Sequence, residues 1–124
     1  MSKQLAIKVT AMPADANADG DIFGGWVLSQ MDLAGGVVAR HLAKGRVVTI
    51  AIDDMEFILP VYVGDCLECY VEVVKIGNTS MTLKIEAYAE RRLSGVKDKV
   101  TEGTFIFVAI DEGRRPRAIP KAIN

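Results

Sequence analysis

The sequence predicts an α+β protein in which one long helix packs against an antiparallel sheet of about five strands. Three observations carry this. A single stretch has helical apolar spacing, every later segment alternates in the manner of strands, and short turn-forming pairs separate several of those segments.

Residues 4–12 (QLAIKVTAM) read as a first strand ended by Pro13. The next segment, residues 13–21, is so rich in Pro, Asp, Asn and Gly that it reads as loop throughout. Residues 24–44 then show a helical pattern, with Gly45 as its stop. Residues 47–59 form a second strand that ends before Pro60. In residues 66–76, Leu67, Cys69, Val71 and Val73 alternate with Glu68, Tyr70 and Glu72, and Gly77-Asn78 marks a turn. Residues 80–92 alternate again, Ser94-Gly95 turns the chain, and residues 100–110 make the last strand. Short connections imply antiparallel neighbours, so the sheet is expected to be meander-like.

The helix is the informative element. At about 100° per residue, Val27, Met31, Ala34, Val38 and Leu42 share one face, while Trp26, Leu33 and Val37 lie nearly opposite. A helix apolar almost all round is expected to be buried, by the sheet on one side and by something else on the other. Between those faces run Gly25, Ser29, Gly36 and Ala43, a stripe of small residues that suits a partner or ligand. The last strand is apolar on both faces, Phe105 and Phe107 against Ile106 and Val108. One helix cannot cover both, so a homo-oligomer is expected.

Asp32 lies in the middle of the small-residue stripe and is the only carboxylate of the helix. Such a group is costly among apolar neighbours unless hydrogen-bonded, paired or functional. The competing reading is a solvated surface carboxylate; the apolar surroundings favour function. Gly24-Gly25 at the helix start leaves backbone N–H groups unshielded at the positive end of the helix dipole, where an oxyanion would be stabilised. A tight turn is the plain alternative, and Asp32 on the Gly25 side of the helix makes the pair more informative than either alone.

Composition narrows the class. The chain has 124 residues and reads as one domain, residues 1–124. Fifteen basic against sixteen acidic residues leave no excess charge to attract nucleic acid or anionic membrane. The first residues show no signal-peptide pattern and no stretch is long enough to span a bilayer, so a cytoplasmic protein is expected. A serine triad is improbable, because the sole His41 falls late in the helix and no nucleophile elbow is present. Cys66 and Cys69 sit three apart in a strand and point to opposite faces, so they form neither a metal clamp nor a redox pair, and Cys69 reads as core. No metal-ligand cluster or nucleotide fingerprint appears, and no cofactor is expected. Arg91, Arg92 and the basic tail through Arg117 and Lys121 read by default as solvated charge.

The run Asn17-Ala-Asp-Gly20-Asp-Ile-Phe-Gly24-Gly25-Trp26, followed by Ser29-Gln-Met-Asp32, resembles the short bacterial acyl-CoA thioesterases of the YciA type. Further matches are Gly45 to Thr49, Met55-Glu56-Phe57 with Pro60, Gly64-Asp65, Lys75 to Ser80, Phe107 to Asp111 and Arg117 to Pro120. The resemblance implies the hotdog fold, a central helix wrapped by an antiparallel sheet. It also implies hydrolysis of acyl-CoA to a carboxylic acid and coenzyme A, with Asp32 as general base or nucleophile and Asn17 as the second polar group. The site would form between two protomers, with Asn17 of one facing Asp32 of the other, in a homodimer assembled further into a hexamer, a trimer of dimers. Backbone N–H groups at Gly24 and Gly25 would polarise the thioester carbonyl. The turn Gly77, Asn78, Thr79 and Ser80 would contact the coenzyme, with Arg91 or Arg92 on its phosphates. Glu56 and Asn78 depart from the family pattern, in which a small amide and a basic residue are common at those places. The alternative function is a non-catalytic acyl-CoA binding module. A dehydratase would need a histidine near the helix start, and residues 13–30 contain none.

Overall fold

The computed structural model describes residues 3–121. Strand β1 (Gln4–Thr10) leads through a single 3-10 turn (Pro13–Asp15) to helix α1 (Gly24–Ala43). Strands β2 (Val47–Phe57), β3 (Cys66–Ile76), β4 (Ser80–Glu90) and β5 (Lys97–Ala109) follow. The element order matches the sequence expectation, with differences at the element ends: β2 stops at Phe57 and β4 at Glu90, each two residues short of expectation. β1 stops at Thr10, two residues short of expectation, although the Ala11 N–H still donates to the Asp65 carbonyl just before β3. The loop is not wholly irregular, since Asp15 closes a 3-10 turn by accepting the Met12 N–H. β5 begins three residues early, at Lys97.

All strand pairs are antiparallel, in the order β1-β3-β4-β5-β2. Only β3, β4 and β5 form a meander. β2 lies at the far edge beside β5, in a register running from Val47 opposite Ala109 to Phe57 opposite Thr101. Residues 58–65 therefore carry the chain from one edge of the sheet to β3, next to the other edge. Turn length reports hairpins but not such crossings.

Val27, Met31, Ala34, Gly35, Val38, Ala39 and Ala43 of α1 are buried on the sheet, against inward residues such as Leu83, Ile85 and Phe107. Gly35 sets the approach: a Cβ there would lie 2.7 Å from Ile85 Cδ1 and 2.8 Å from Phe107 Cε1. The opposite side of α1 is not buried within the chain, since Leu33 and Val37 are more than half exposed. On β5, Val108 is already buried and Ile106 half-buried, so the case for a partner rests on the helix and on β2 rather than on β5. β2 has one free edge and exposes Ile50, Ile52 and Phe57.

The helix ends differently from expectation. The left-handed residue is Lys44 (φ 54°), not Gly45. Gly45 lets the Arg117 side chain lie close, since a Cβ there would stand 2.6 Å from Arg117 Nη2 and push the guanidinium aside. That guanidinium donates to the carbonyls of Ala43 (2.8 Å) and Ile110 (3.2 Å), placing a cation at the negative end of the helix. Arg117 is thus a helix cap rather than solvated charge, and Ala43, at the end of the small-residue stripe, is buried under the tail.

Candidate active site

Asp32 reaches the site from the middle of α1 and is half-buried. Its Oδ1 accepts the Thr49 hydroxyl at 2.6 Å. A donor on one carboxylate oxygen fixes the rotamer and leaves Oδ2 with no protein donor among the described residues. Thr49 lies on β2, and the sequence reading assigned it no role. The signal present in the sequence is a lone hydroxyl on a strand whose neighbours Val47, Val48 and Ile50 are apolar.

Along the stripe, Gly25 and Gly36 have open space where a Cβ would stand. Ser29 is exposed and returns its hydroxyl to the Trp26 carbonyl at 2.7 Å. The helix surface at Gly25 and Gly36, on either side of Asp32 along the stripe, is therefore uncovered within the chain, in contrast to the packed Gly35. A Cβ at Gly24 would meet the Phe57 ring at 3.3 Å, so Gly24 lets the helix start pass close to the end of β2.

Helix α1 begins after Phe23, which provides no side-chain cap. The Phe23 carbonyl accepts from Trp26 (3.1 Å) and Val27 (3.3 Å), which leaves the Gly24 and Gly25 N–H groups without acceptors among the described residues. They are oriented donors on an exposed surface. Seven residues separate Gly25 from Asp32, about 10 Å along the axis at 1.5 Å per residue. Groups acting on one carbonyl must each approach the reacting atoms to about 3 Å. The helix-start donors and Asp32 of one chain therefore lie on the same side but do not meet at one carbon.

Asn17 lies in the loop before the helix. Its Oδ1 accepts the N–H groups of Asp19 (2.9 Å) and Asp21 (3.1 Å), while its own N–H donates to the Asp21 carbonyl (2.7 Å). The side-chain oxygen thus builds the loop, and the amide NH2 is left as the free donor.

The predicted coenzyme contacts are not brought together. Gly77, Asn78, Thr79 and Ser80 stand at the start of β4 and Arg91 and Arg92 just past its end, about 35 Å apart at 3.4 Å per residue. Arg91 is engaged within the chain, its Nη1 donating to Asp65 (2.7 Å) and the Pro60 carbonyl (2.9 Å) and its Nε to Asp98 (3.1 Å). Arg92 is exposed and lays its side chain over Gly64, whose φ of +93° already excludes a side chain. The turn is ordered by Gly77 N–H to the Ser80 carbonyl (2.8 Å) and by Ile119 N–H to the Asn78 carbonyl (2.8 Å). It borders a cavity of about 710 Å³ lined also by His41, Lys44, Ile76 and Pro120.

Cys69 is buried in the core, and burial pushes its thiol up to about 12. Cys66 is half-buried on the same strand and unpaired. No cluster of three metal-ligating side chains occurs among the described residues, and no described helix is long and apolar enough to cross a membrane.

The thioesterase superfamily pattern matches residues 19–96, a span that includes the Asp32 helix, Thr49 and the turn at Gly77. The chain belongs to the thioesterase superfamily. It is 47% identical over 120 residues to the acyl-CoA thioester hydrolase YciA of Salmonella typhimurium, covering 94% of this chain and 90% of that one. Its structure is similar to that of a hexameric thioesterase from Yersinia pestis, with TM-score 0.92, 45% identity, and 96% and 97% of the two chains covered. A hexameric hotdog-fold thioesterase of Campylobacter jejuni gives TM-score 0.87 and 41% identity, covering 94% of this chain and 90% of that one. This superfamily member has the hotdog fold, one helix against five antiparallel strands.

Proposed function

We propose that this superfamily member is an acyl-CoA thioester hydrolase whose site is completed by a second copy of the chain. Asp32 of one protomer would act opposite Asn17, Gly24 and Gly25 of its partner. The observation that carries this is the separation of about 10 Å between Asp32 and the free N–H groups of its own helix start. An antiparallel pairing of two such helices brings one protomer's carboxylate to the other's donors.

In this reading the Gly24 and Gly25 N–H groups and the Asn17 amide polarise the thioester carbonyl and stabilise the oxyanion. Asp32, oriented by Thr49, either removes a proton from water, which adds to the carbonyl, or attacks it directly. In the first route the C–S bond breaks, coenzyme A leaves as thiolate and takes up a proton, and the acid is free. In the second the thiolate leaves a mixed anhydride on Asp32, which water then cleaves. The Gly77–Ser80 turn and its adjoining cavity take the coenzyme end. The free edge of β2, its exposed Ile50 and Ile52, and Leu33 and Val37 on the helix form the surface between copies, and the hexameric relatives support assembly beyond a dimer.

Thiol release from a panel of acyl-CoAs by the parent and by Asp32→Ala tests the reading. Turnover that collapses in the variant supports it, and equal turnover removes Asp32 from the chemistry. Binding without turnover by either protein would establish the binding-module alternative. Single-turnover hydrolysis in labelled water separates the two routes, since label enters Asp32 only through the anhydride.

A further inference from the structure

We propose that Arg91, through Asp65, is a positioning residue that holds the Asn17 loop in register with the start of α1. The inference rests on Asn17 being a substrate-facing group, and it assigns the work of orienting that group to an ion pair on the far side of the loop.

The pair is well enclosed: the Arg91 side chain is 17% exposed and that of Asp65 4%. The guanidinium reaches three acceptors, Asp65, Asp98 and the Pro60 carbonyl, and lies 5.5 Å from the centre of the Tyr62 ring. Asp65 in turn accepts the N–H groups of Tyr62 (2.9 Å) and Arg92 (3.2 Å). Residues 60–65 are thereby fixed by one cation and one carboxylate.

That segment grips the Asn17 loop at both ends. At the near end, Ala11 N–H donates to the Asp65 carbonyl (2.9 Å) and Gly64 N–H to the Ala11 carbonyl (2.8 Å). At the far end, Ile22 N–H donates to the Val61 carbonyl (3.0 Å), and Asp21 bridges to Tyr62. Asp21 holds Asn17 by a reciprocal pair of hydrogen bonds, one to its side chain and one from its backbone. Two contacts thus separate the 60–65 segment from the Asn17 amide. The loop also closes on itself through Phe23 N–H to the Asp15 carbonyl (3.1 Å) and the Ala16–Ile22 bridge, but residues 18–21 are exposed, so the 60–65 segment is the outside neighbour that sets Asp21 beside Asn17. A reacting group displaced by about 1 Å can lose a hundredfold in rate, so a strut at this distance is felt in turnover.

An ion pair that merely stabilised the fold would lower activity independently of Asn17. A double-mutant cycle separates the two, using Arg91→Met, Asn17→Ala and their combination in steady-state acyl-CoA hydrolysis, with amide exchange measured over residues 11–22. Arg91→Met is expected to lower kcat by about a hundredfold while leaving KM near the parent value, and to add little once Asn17 is already alanine. Exchange should quicken in residues 11–22 and stay unchanged in β3 and β4. Arg91→Lys, which can keep the Asp65 pair, should recover part of kcat, and it carries the same measurements if Arg91→Met does not fold. Additive losses, or unchanged exchange in residues 11–22, would overturn the proposal. If Asn17→Ala retains full turnover, the role of Asn17 in the reaction fails separately. The exchange measurement then decides the strut alone: faster exchange upholds it and unchanged exchange ends it.

Discussion

Thr49 Oγ1 donates to Asp32 Oδ1 at 2.6 Å, tying the edge strand β2 to the middle of the helix at the point where the chemistry is proposed. The bond does two things at once. It satisfies one oxygen of a half-buried carboxylate, and it aims the other away from the strand.

Thr49→Val should therefore lower kcat/KM by about tenfold, the size of one hydrogen bond to a charged group. Thr49→Ser should restore most of it. Steady-state kinetics on the two variants check this, and a valine variant as fast as the parent would remove Thr49 from the site.

Gly35 and Gly36 are neighbours in sequence with opposite surroundings. Gly35→Ala forces a methyl against Ile85 and Phe107 and should cost about 1–3 kcal/mol by overpacking. Gly36→Ala meets nothing within the chain and gains helix propensity of about 0.5–1 kcal/mol. Its Tm should match or exceed that of the parent, while turnover falls if substrate or a partner chain lies along the small-residue stripe at Asp32. Thermal unfolding beside kinetics distinguishes these outcomes.

Arg117 caps α1 and packs over Gly45. Removing it in Arg117→Ala leaves the Ala43 and Ile110 carbonyls without their charged donor and should lower stability by about 1.5–3 kcal/mol. Denaturant unfolding reads this directly. An unchanged midpoint would mean that water replaces the cap at no cost.

The outer face of the sheet carries two carboxylates that are almost fully buried, Glu68 and Glu86. Desolvation pushes both upward. Hydrogen bonds from Lys97, Tyr70 and Lys8 to Glu68, and from Lys3 and Lys99 to Glu86, outweigh it and hold both below the usual 4.5. A carboxylate depressed in the folded state binds fewer protons there than in the unfolded chain, so its stabilisation is present above pH 4.5 and fades as pH falls through the folded value. Stability should therefore drop steeply below pH 4.5, and Glu68→Gln should flatten that slope at a lower overall stability. Unfolding midpoints across pH 3–6 on the two proteins test it.

Leu33 and Val37 are 58% and 57% exposed on a helix whose other face is core. Val37→Glu should place a charge on the proposed surface between copies, which is costly without a partner. Light scattering should show smaller species, and turnover should fall with them. A variant that keeps both its mass and its activity would place the interface elsewhere.

Much of the architecture was readable because its causes are local. Alternation in residues 66–76 put Leu67, Cys69, Val71 and Val73 on the inner face, and all four are buried. Helical spacing likewise placed Val27, Met31, Ala34 and Val38 on the sheet, and short turns gave the β3-β4-β5 meander. The position of β2 was not readable, since its pairing with β5 joins residues some fifty apart through no short turn. Arg91 and Arg117 misled for a related reason. A long cationic side chain looks the same in sequence whether it ends in water, on a phosphate or on a buried carbonyl.

The sequence by itself determined one helix among five strands, the inner faces of β3 and β4, and a carboxylate set in a stripe of small residues. These follow from periodicities of two and 3.6 and from turn chemistry, all of which act over a few residues. Only the tertiary structure decided that Thr49 holds Asp32, that Asn17 Oδ1 is engaged within its own loop, and that Arg91 grips the segment anchoring that loop. Each depends on where chain-distant groups meet, and that is set by how the sheet, the helix and the 58–65 crossing pack together.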